Sequence, residues 1–429
     1  MVNFNKIKSL KGIIEVPADK SITHRAIFFA SMAKGLTTIY NPLISDDTIA
    51  TLEIMQKLGV DIKNEKGNIV ANSKGYNFFI EPENVLDCKN SGTTARLLLG
   101  LLAPQRKYFV MTGDDSLRKR PIDRVITPLC RLNAKIFARM NNRLLPATIT
   151  HSEMCGGVIE QIVASAQVKS AIILAAIQLN DEVNYIEKSK TRNHTELIAP
   201  AFGVDIKCKN NTITVKGGSP LKPYNIIIPG DFSSAAFYIA AALIFENSSI
   251  TIKNVGLNDT RTAFLEVLKN MGAKISIELK EYDIEPFGDI FVEYGKLKGI
   301  KITEKIIPNI IDELPLLALL GLFSEDTVEV RGAKELRIKE SDRIKSLAYN
   351  IKALGAKFEE FEDGFIVYPL DKKKISLKKS LKSFSDHRVA MINILLAKKF
   401  GEDMNIDDIS SISVSNPEFL SILKELEEV

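Results

Sequence analysis

The sequence predicts an α/β protein of two domains, each built from three repeats of one unit of helices and short strands. Three observations carry that reading. The chain has 429 residues, more than one compact core usually holds. One short phrase recurs along it: a run of helical period, an apolar residue, Gly, a small residue and a strand. A second helix series, more apolar and richer in small residues, runs in step with the first.

The phrase reads Leu58-Gly59-Val60-Asp61, Phe202-Gly203-Val204-Asp205, Met271-Gly272-Ala273-Lys274 and Leu354-Gly355-Ala356-Lys357. Leu132-Asn133-Ala134-Lys135 is the same phrase with Asn, the other residue that tolerates a left-handed cap. The helices leading into it are amphipathic: Ile122, Val125, Ile126, Leu129 and Leu132 share a face, as do Ile344, Leu347, Ala348, Ile351 and Leu354. A sixth such helix closes the chain at Phe419, Ile422, Leu423 and Leu426, with Pro417 suited to its first turn. The second series starts near Ser21, Ser91, Ser165, Ser233, Asp312 and Asp386, at intervals of 70, 74, 68, 79 and 74 residues. Between the helices lie short alternating strands such as Thr212–Val215 and Phe365–Tyr368. A steady period near 70 exceeds that of common solenoids and favours a few large α/β units.

Composition excludes several classes. Hydrophobic content of 45% and charged content of 26% are those of an ordinary globular protein. A net charge of +4 is small for this length, so nucleic acid is not an expected partner. The first residues have no apolar core of a signal peptide, and the apolar runs Ile172–Ile177 and Leu316–Phe323 are too short to span a bilayer. The expectation is a cytoplasmic monomer without membrane contact. Cys88, Cys130, Cys155 and Cys208 are scattered, which predicts buried, reduced thiols rather than disulfides or a zinc site.

The chemistry gathers at helix starts, where unpaired N–H groups favour anions. The apolar series opens with Lys20, Ser21 and Arg25, then Asn90–Arg96, Ser165–Lys169, Asp231–Ser234, Asp312-Glu313 and Asp386-His387-Arg388. The amphipathic series opens with Arg120-Pro121, Arg192–Glu196, Asn258–Arg261 and Lys339–Arg343. Ser233, Asp259 and Asp46 read as plain caps, and Asp342 and Asp386 as partners of the arginines that follow them. His194-x-Glu196 has no third ligand at a suitable spacing, so no metal is expected. Caps, however, need no cations. Lys20, Arg25, Arg120, Arg192, Lys339, Arg343 and Arg388 at helix starts oppose the dipole, which makes sense if bound anions offset the cost.

These segments resemble the EPSP synthase family (3-phosphoshikimate 1-carboxyvinyltransferase) over nearly the whole chain. Pro17-Ala18-Asp19-Lys20-Ser21 with Arg25 is similar to its opening P-G-D-K-S motif, and Asn90–Arg96 to N-S-G-T-T-x-R. Ser116–Pro121 is similar to S-L-x-x-R-P, Ser165–Lys169 to S-A-Q-V-K, and Arg192–Glu196 to R-x-H-x-E. Asn258–Arg261 is similar to N-x-T-R, Leu336–Arg343 to L-R-x-K-E-S-D-R, and Asp386–Ala390 to D-H-R-x-A. Three of these forms resemble the second of the family's two sequence classes. Ala18 departs from the usual glycine, and Val414–Pro417 lacks the lysine that many members carry.

The resemblance implies the enolpyruvyl transferase fold: two domains, each of three βαβαββ units around a pseudo-threefold axis. It implies a discontinuous domain of residues 1–18 and 229–429, an inserted domain of residues 19–228, and crossovers near 18 and 228. It also implies an active site in the cleft between domains that close on the substrates. The activity implied is transfer of the enolpyruvyl group of phosphoenolpyruvate to the 5-hydroxyl of shikimate 3-phosphate, with no metal or organic cofactor. Asp312, Glu340 and Lys20 are then the catalytic groups. Lys20, Ser21, Arg25, Ser165, Ala166, Gln167, Arg192, Asp312 and Lys339 hold shikimate 3-phosphate. Lys20, Gly92, Arg120, Gln167, Arg343 and Arg388 hold phosphoenolpyruvate. Glyphosate, which occupies the phosphoenolpyruvate site of this family, is the implied inhibitor. Two rivals stand beside this reading. One is a UDP-N-acetylglucosamine enolpyruvyl transferase, although the loop Met111–Lys119 has no cysteine. The other is a non-catalytic repeat scaffold binding nucleic acid, for which Asp312, Glu340 and Gln167 among the cations have no use.

Overall fold

A computed structural model of the chain describes residues 2–371, 379–401 and 404–428. It divides into two compact units, Ala18–Ile228 and Met1–Pro17 with Pro229–Val429.

The unit Ala18–Ile228 contains three four-stranded sheets of one pattern. In the second sheet, Leu86–Asp87 runs parallel to Phe109–Thr112. Phe109–Thr112 is antiparallel to Leu144–Thr150, which is antiparallel to Lys135–Ala138. The third repeats this with Gly157–Glu160, Glu182–Ile186, Thr212–Lys216 and Asp205–Lys209. The first takes its parallel strand from the far end of the segment, where Ile226–Ile227 pairs with Lys34–Tyr40. A buried helix leads into the second strand of each sheet: Lys20–Met32, Gly92–Leu102 or Ala166–Ala176. An amphipathic helix leads into each antiparallel hairpin: Asp46–Lys57, Asp123–Arg131 or His194–Ala201. Strand, helix, strand, helix, strand and strand thus recur three times.

The other unit follows the same plan. Ser9–Glu15 is parallel to Ser249–Gly256, and Ile300–Ile302 to Val328–Val330. Among the described residues the third sheet has three strands: Lys379–Leu381 is parallel to Met404–Ile406, and the N-terminal Val2–Asn3 supplies the antiparallel neighbour. Its crossover helices Phe232–Ile244 and Leu314–Gly321 are buried along their whole length. Apolar residues all round a helix leave it no face to show water. The predicted helix faces bury as expected, Ile122–Leu132 and Ile344–Leu354 included.

The recurrent phrase is a helix stop. Gly59 takes φ +92° and donates to the Gln56 carbonyl, while Val60 N–H returns to Met55. Asn133, Gly203, Gly272 and Gly355 have the same left-handed backbone and the same pair of bonds. Several caps differ from expectation. Ser45, not Asp46, caps its helix, because Ser45 and Thr48 complete a reciprocal capping box. Asp231 replaces Ser233, since its carboxylate lies where it accepts from Ser233 N and Ser234 N. Thr262 stands at the cap position expected for Asp259, and Asn258 accepts from Thr260 N instead. Pro417 precedes the cap Glu418, so it lies outside the last helix. The cysteines differ too. Only Cys88 is buried; Cys130, Cys155 and Cys208 are free thiols on exposed positions, the first on the outer face of an amphipathic helix. Among the described residues no helix is long and apolar enough to cross a membrane.

One close crossing sets how near two of the helix starts come. A Cβ on Gly100 would stand 2.0 Å from the Ala171 carbonyl oxygen, so only glycine lets the helices Gly92–Leu102 and Ala166–Ala176 meet this closely. Gly100→Ala should lower unfolding free energy by about 1–3 kcal/mol. Gly295→Ala, whose Cβ would meet nothing nearer than 3.7 Å, should change it little. Urea midpoints of the two variants check this, and equal midpoints would refute the packing role of Gly100.

Candidate active site

In the unit Ala18–Ile228 the helix starts bring several expected residues together. Asp19 caps Lys20–Met32 by accepting from Ile22 N at 2.9 Å. Lys20 Nζ lies 2.9 Å from Asp47 Oδ2, on the next helix. Arg25, in the second turn, points inward: Nε donates to Thr195 Oγ1 (2.8 Å), Nη2 to Ser170 Oγ (2.7 Å) and Nη1 to the Ser21 carbonyl. It ties the first crossover helix to the third.

Gly92 opens its helix beside two guanidiniums. A Cβ there would lie 2.9 Å from Arg96 Nη1 and 3.6 Å from Arg120 Nη1, so the missing side chain leaves that space to the cations. Arg96 Nη1 donates to Gln167 Oε1 (2.8 Å), and Gln167 Nε2 donates to Thr93 Oγ1 (2.9 Å). Arg120 Nη2 donates to Asn90 Oδ1 (3.0 Å) and Ser116 Oγ (3.2 Å). Ser165 caps Ala166–Ala176, which places Ala166 and Gln167 in its first turn. The Gly100 crossing is what brings Gln167 to Thr93 and Arg96. Arg192 is half-buried and stands two residues before His194–Ala201. Glu196, the second half of the His-x-Glu pair, is bound by Lys169.

In the other unit, three cations converge on one carboxylate. Asp312 Oδ1 lies 3.7 Å from Lys339 Nζ, 3.7 Å from Arg343 Nη1 and 3.9 Å from Arg388 Nη2. Arg388 Nη1 also donates to the Asp312 carbonyl at 3.0 Å. Arg343 is 1% exposed and is fixed from behind: Nε meets Asp386 Oδ2 at 2.9 Å and Nη2 reaches Glu340. Burial works against its charge, but Asp386, Glu340 and Asp312 outweigh it and raise the guanidinium above its ordinary value. Asp386 is wholly buried; burial alone would raise its carboxyl, yet Arg343 holds it below the usual range. Arg343 Nη1 is buried and makes no hydrogen bond among the described residues.

Some expectations shift. Lys20, Arg343 and Arg388 do lie in first helical turns, whereas Arg120, Arg192 and Lys339 lie in the segments leading in. Asp386 pairs with Arg343 across 43 residues rather than with the adjacent Arg388, and its side chain caps Arg388 N. Asp342 caps Lys345 N and pairs with Arg337, not Arg343. Sequence reasoning gave no site role to Arg96, Asp47, Arg261 or Glu313. Arg96 stood one turn after Gly92, a signal that was present. Asp47 gave none, since Asp46-Asp47 reads as an ordinary helix start. Arg261 Nη2 donates to Ser233 Oγ (2.8 Å), which donates to the fully buried Glu313 (2.5 Å), the neighbour of Asp312.

The fold is that of the enolpyruvyl transferases. The enolpyruvyl transferase NikO from Streptomyces tendae superposes with a TM-score of 0.77 at 13% identity, covering 99% of this chain and 96% of that one. EPSP synthase from Acinetobacter baumannii superposes at 0.86 with 35% identity, over 99% of this chain and 97% of that chain. The family model for EPSP synthase (3-phosphoshikimate 1-carboxyvinyltransferase) matches residues 4–423. The 3-phosphoshikimate 1-carboxyvinyltransferases of Petrotoga mobilis and Thermodesulfovibrio yellowstonii are 42% and 44% identical to this chain. The first match covers 98% of both proteins and the second 99% of both. The chain belongs to the EPSP synthase family. Neither the UDP-N-acetylglucosamine enzyme nor a nucleic-acid scaffold is favoured by these matches.

The Arg343–Asp386 pair sets a stability prediction. Asp386 has a depressed folded-state pKa, so its contribution is present above the unfolded value of about 3.9 and is lost as pH falls below it. Asp386→Asn should cost about 3–5 kcal/mol at pH 7 by leaving a buried guanidinium half-paired. That deficit should narrow below about pH 4. Urea titrations at pH 7 and pH 3 check both parts; an equal deficit at the two values would contradict the sign.

Proposed function

We propose that this chain transfers the enolpyruvyl group of phosphoenolpyruvate to the 5-hydroxyl of shikimate 3-phosphate, releasing inorganic phosphate. The observation that carries the proposal is the convergence of Lys339, Arg343 and Arg388 on Asp312, with Arg343 Nη1 buried and lacking a hydrogen bond among the described residues. A buried donor beside two more cations suits an anionic oxygen. The Arg120 and Arg96 guanidiniums beside Gly92 form a second cationic cluster of the same character. Membership of the family supplies the identity of the two substrates.

The reaction adds a proton to the methylene carbon of phosphoenolpyruvate, while the hydroxyl oxygen bonds to its C2. The adduct then loses a proton from the new methyl group and expels phosphate, which restores the double bond. Asp312 is assigned to the attacking hydroxyl. Glu340 and Lys20 are assigned to the two proton transfers at the methylene carbon. Arg120, Arg343 and Arg388, with the backbone at Gly92, take the phosphate and carboxylate, because guanidinium forks match both groups. Lys20, Ser21, Arg25, Ser165, Ala166, Gln167, Arg192 and Lys339 take shikimate 3-phosphate, and Gln167 reaches both substrates. Carboxylates beside these cations give the clusters their acid–base groups as well as their charge.

Phosphate release tests the proposal. It should occur with shikimate 3-phosphate as acceptor and be absent with UDP-N-acetylglucosamine. Asp312→Asn and Glu340→Gln should each lower kcat by roughly 10² with little change in KM, since they remove proton-transfer groups rather than clamps. Release with UDP-N-acetylglucosamine alone would overturn the substrate assignment, and near wild-type turnover in either variant would overturn that residue's role.

A further inference from the structure

Lys169 has no place in the chemistry above, yet its ammonium is buried and fully bonded. It lies on Ala166–Ala176 with its side chain 0% exposed. Its ammonium meets Glu187 Oε1 at 2.8 Å, Glu196 Oε1 at 2.6 Å and the Thr191 carbonyl at 3.2 Å. An ammonium has three N–H bonds, and here each has its own acceptor. Glu187 and Thr191 belong to the connection that joins the strand Glu182–Ile186 to the helix His194–Ala201, and Glu196 lies in the first turn of that helix. Arg192 follows Thr191 directly.

The same connection is held a second time. Glu187 Oε1 also accepts from Thr191 N (3.2 Å) and Thr191 Oγ1 (2.8 Å). Buried Gln161 accepts from Lys188 N and Ser189 N and donates to the Ser189 carbonyl. With Glu187 N donating to the Asn211 carbonyl, the backbone before Arg192 is fixed at four of its five preceding residues. Filling the space would not need this arrangement, because well-packed apolar residues usually serve a core as well as a buried ion pair does. Two carboxylates around one ammonium even leave an excess of negative charge, and burial raises the Glu196 carboxyl above its usual range against the pull of Lys169.

We propose that Lys169 is a positioning residue that fixes the segment carrying Arg192, and thereby sets how shikimate 3-phosphate is gripped. The inference rests on Arg192 as a ligand of that substrate. One helix then does two things: its start presents Ser165, Ala166 and Gln167, and its second turn anchors Arg192. The lysine of Ser165–Lys169 and the glutamate of Arg192–Glu196 are one ion pair, which ties two separate sequence motifs to a single geometric task.

Steady-state kinetics of the full chain test this. Arg192→Ala should raise KM for shikimate 3-phosphate roughly 10–100-fold, the range of a lost charge-assisted contact, with KM for phosphoenolpyruvate within about twofold. Lys169→Met should do the same. Should that variant fold poorly, the charge-neutral triple Lys169→Met/Glu187→Gln/Glu196→Gln removes the hub without stranding carboxylates. In the Arg192→Ala background either change should add little, because it acts through Arg192. An unchanged KM for shikimate 3-phosphate in the triple, with Arg192→Ala impaired, would overturn the positioning role and leave the proposed function intact. Equal rises in both KM values, or full additivity with Arg192→Ala, would make Lys169 a general support and also overturn it. An unchanged KM in Arg192→Ala would remove the ligand itself, and the inference with it.

Discussion

A cation beside the N-terminus of a helix is held against the local field, and a buried one also gives up its hydration. The rest of this protein's site depends on how that constraint is met. Lys20 has Asp47, Lys169 has Glu187 and Glu196, Arg261 has Asp231, and Arg343 has Asp386 and Glu340. Each carboxylate steers its cation as well as offsetting its charge. Asp386 binds Arg343 from one side, so Nη1 is left directed towards Asp312 rather than towards the carboxylate that neutralises it. The pair Arg343–Asp386 lies deeper than the residues beside it. Arg343 and Asp386 are 1% and 0% exposed, while Lys339 and Glu340 are 28% and 27% exposed.

The fold repeats the arrangement instead of inventing it once. Every crossover helix follows a strand of a parallel pair, so each βαβαββ unit delivers one helix start, whose first N–H groups have no partner within the helix itself. Within Ala18–Ile228 the close approach at Gly100 then joins two of those starts through Arg96, Gln167 and Thr93. In the other unit the link runs from Arg261 through Ser233 to Glu313. The proposed chemistry is therefore local to helix starts, while the alignment of those starts is set by helix packing several turns away.

What could be read from the sequence divides along the same line. The left-handed helix stops were legible at Gly59, Asn133, Gly203, Gly272 and Gly355, because only glycine and asparagine accept that backbone readily. The buried helices were legible from composition, and the cations from their place in the motifs. Caps were less so. Ser45 against Asp46, and Asp231 against Ser233, are neighbours of equal capping chemistry, and the choice between them lies in tertiary geometry. Three of the four cysteines are exposed against expectation: Cys130 sits on the outer face of an amphipathic helix, Cys208 on an edge strand and Cys155 in the loop between two strands. The ion pairs Lys20–Asp47 and Arg343–Asp386 span 27 and 43 residues, and no spacing rule reaches that far. Roles that came from family resemblance, such as those of Lys339 and Gln167, depended on motifs rather than on any property of the residues alone.

The central claim is that the cations assigned to the substrates, unlike the buried Lys169, serve bound anions rather than the stability of the free protein. Arg388 tests it most directly, because it lies in a first helical turn and leans on Asp312 only through a carbonyl bond and a 3.9 Å pair. Thermal unfolding of wild type and Arg388→Met should be compared without ligand and in the equilibrium mixture of shikimate 3-phosphate and phosphoenolpyruvate. Ligand present at about 100 times its Kd stabilises the folded state by about 2.7 kcal/mol, enough to raise Tm measurably. The predicted result is an unliganded Tm that is unchanged or higher in Arg388→Met, together with a much smaller rise on adding ligands. A large fall in the unliganded Tm with the ligand-induced rise preserved would contradict the account, because Arg388 would then be a structural strut and not an anion clamp.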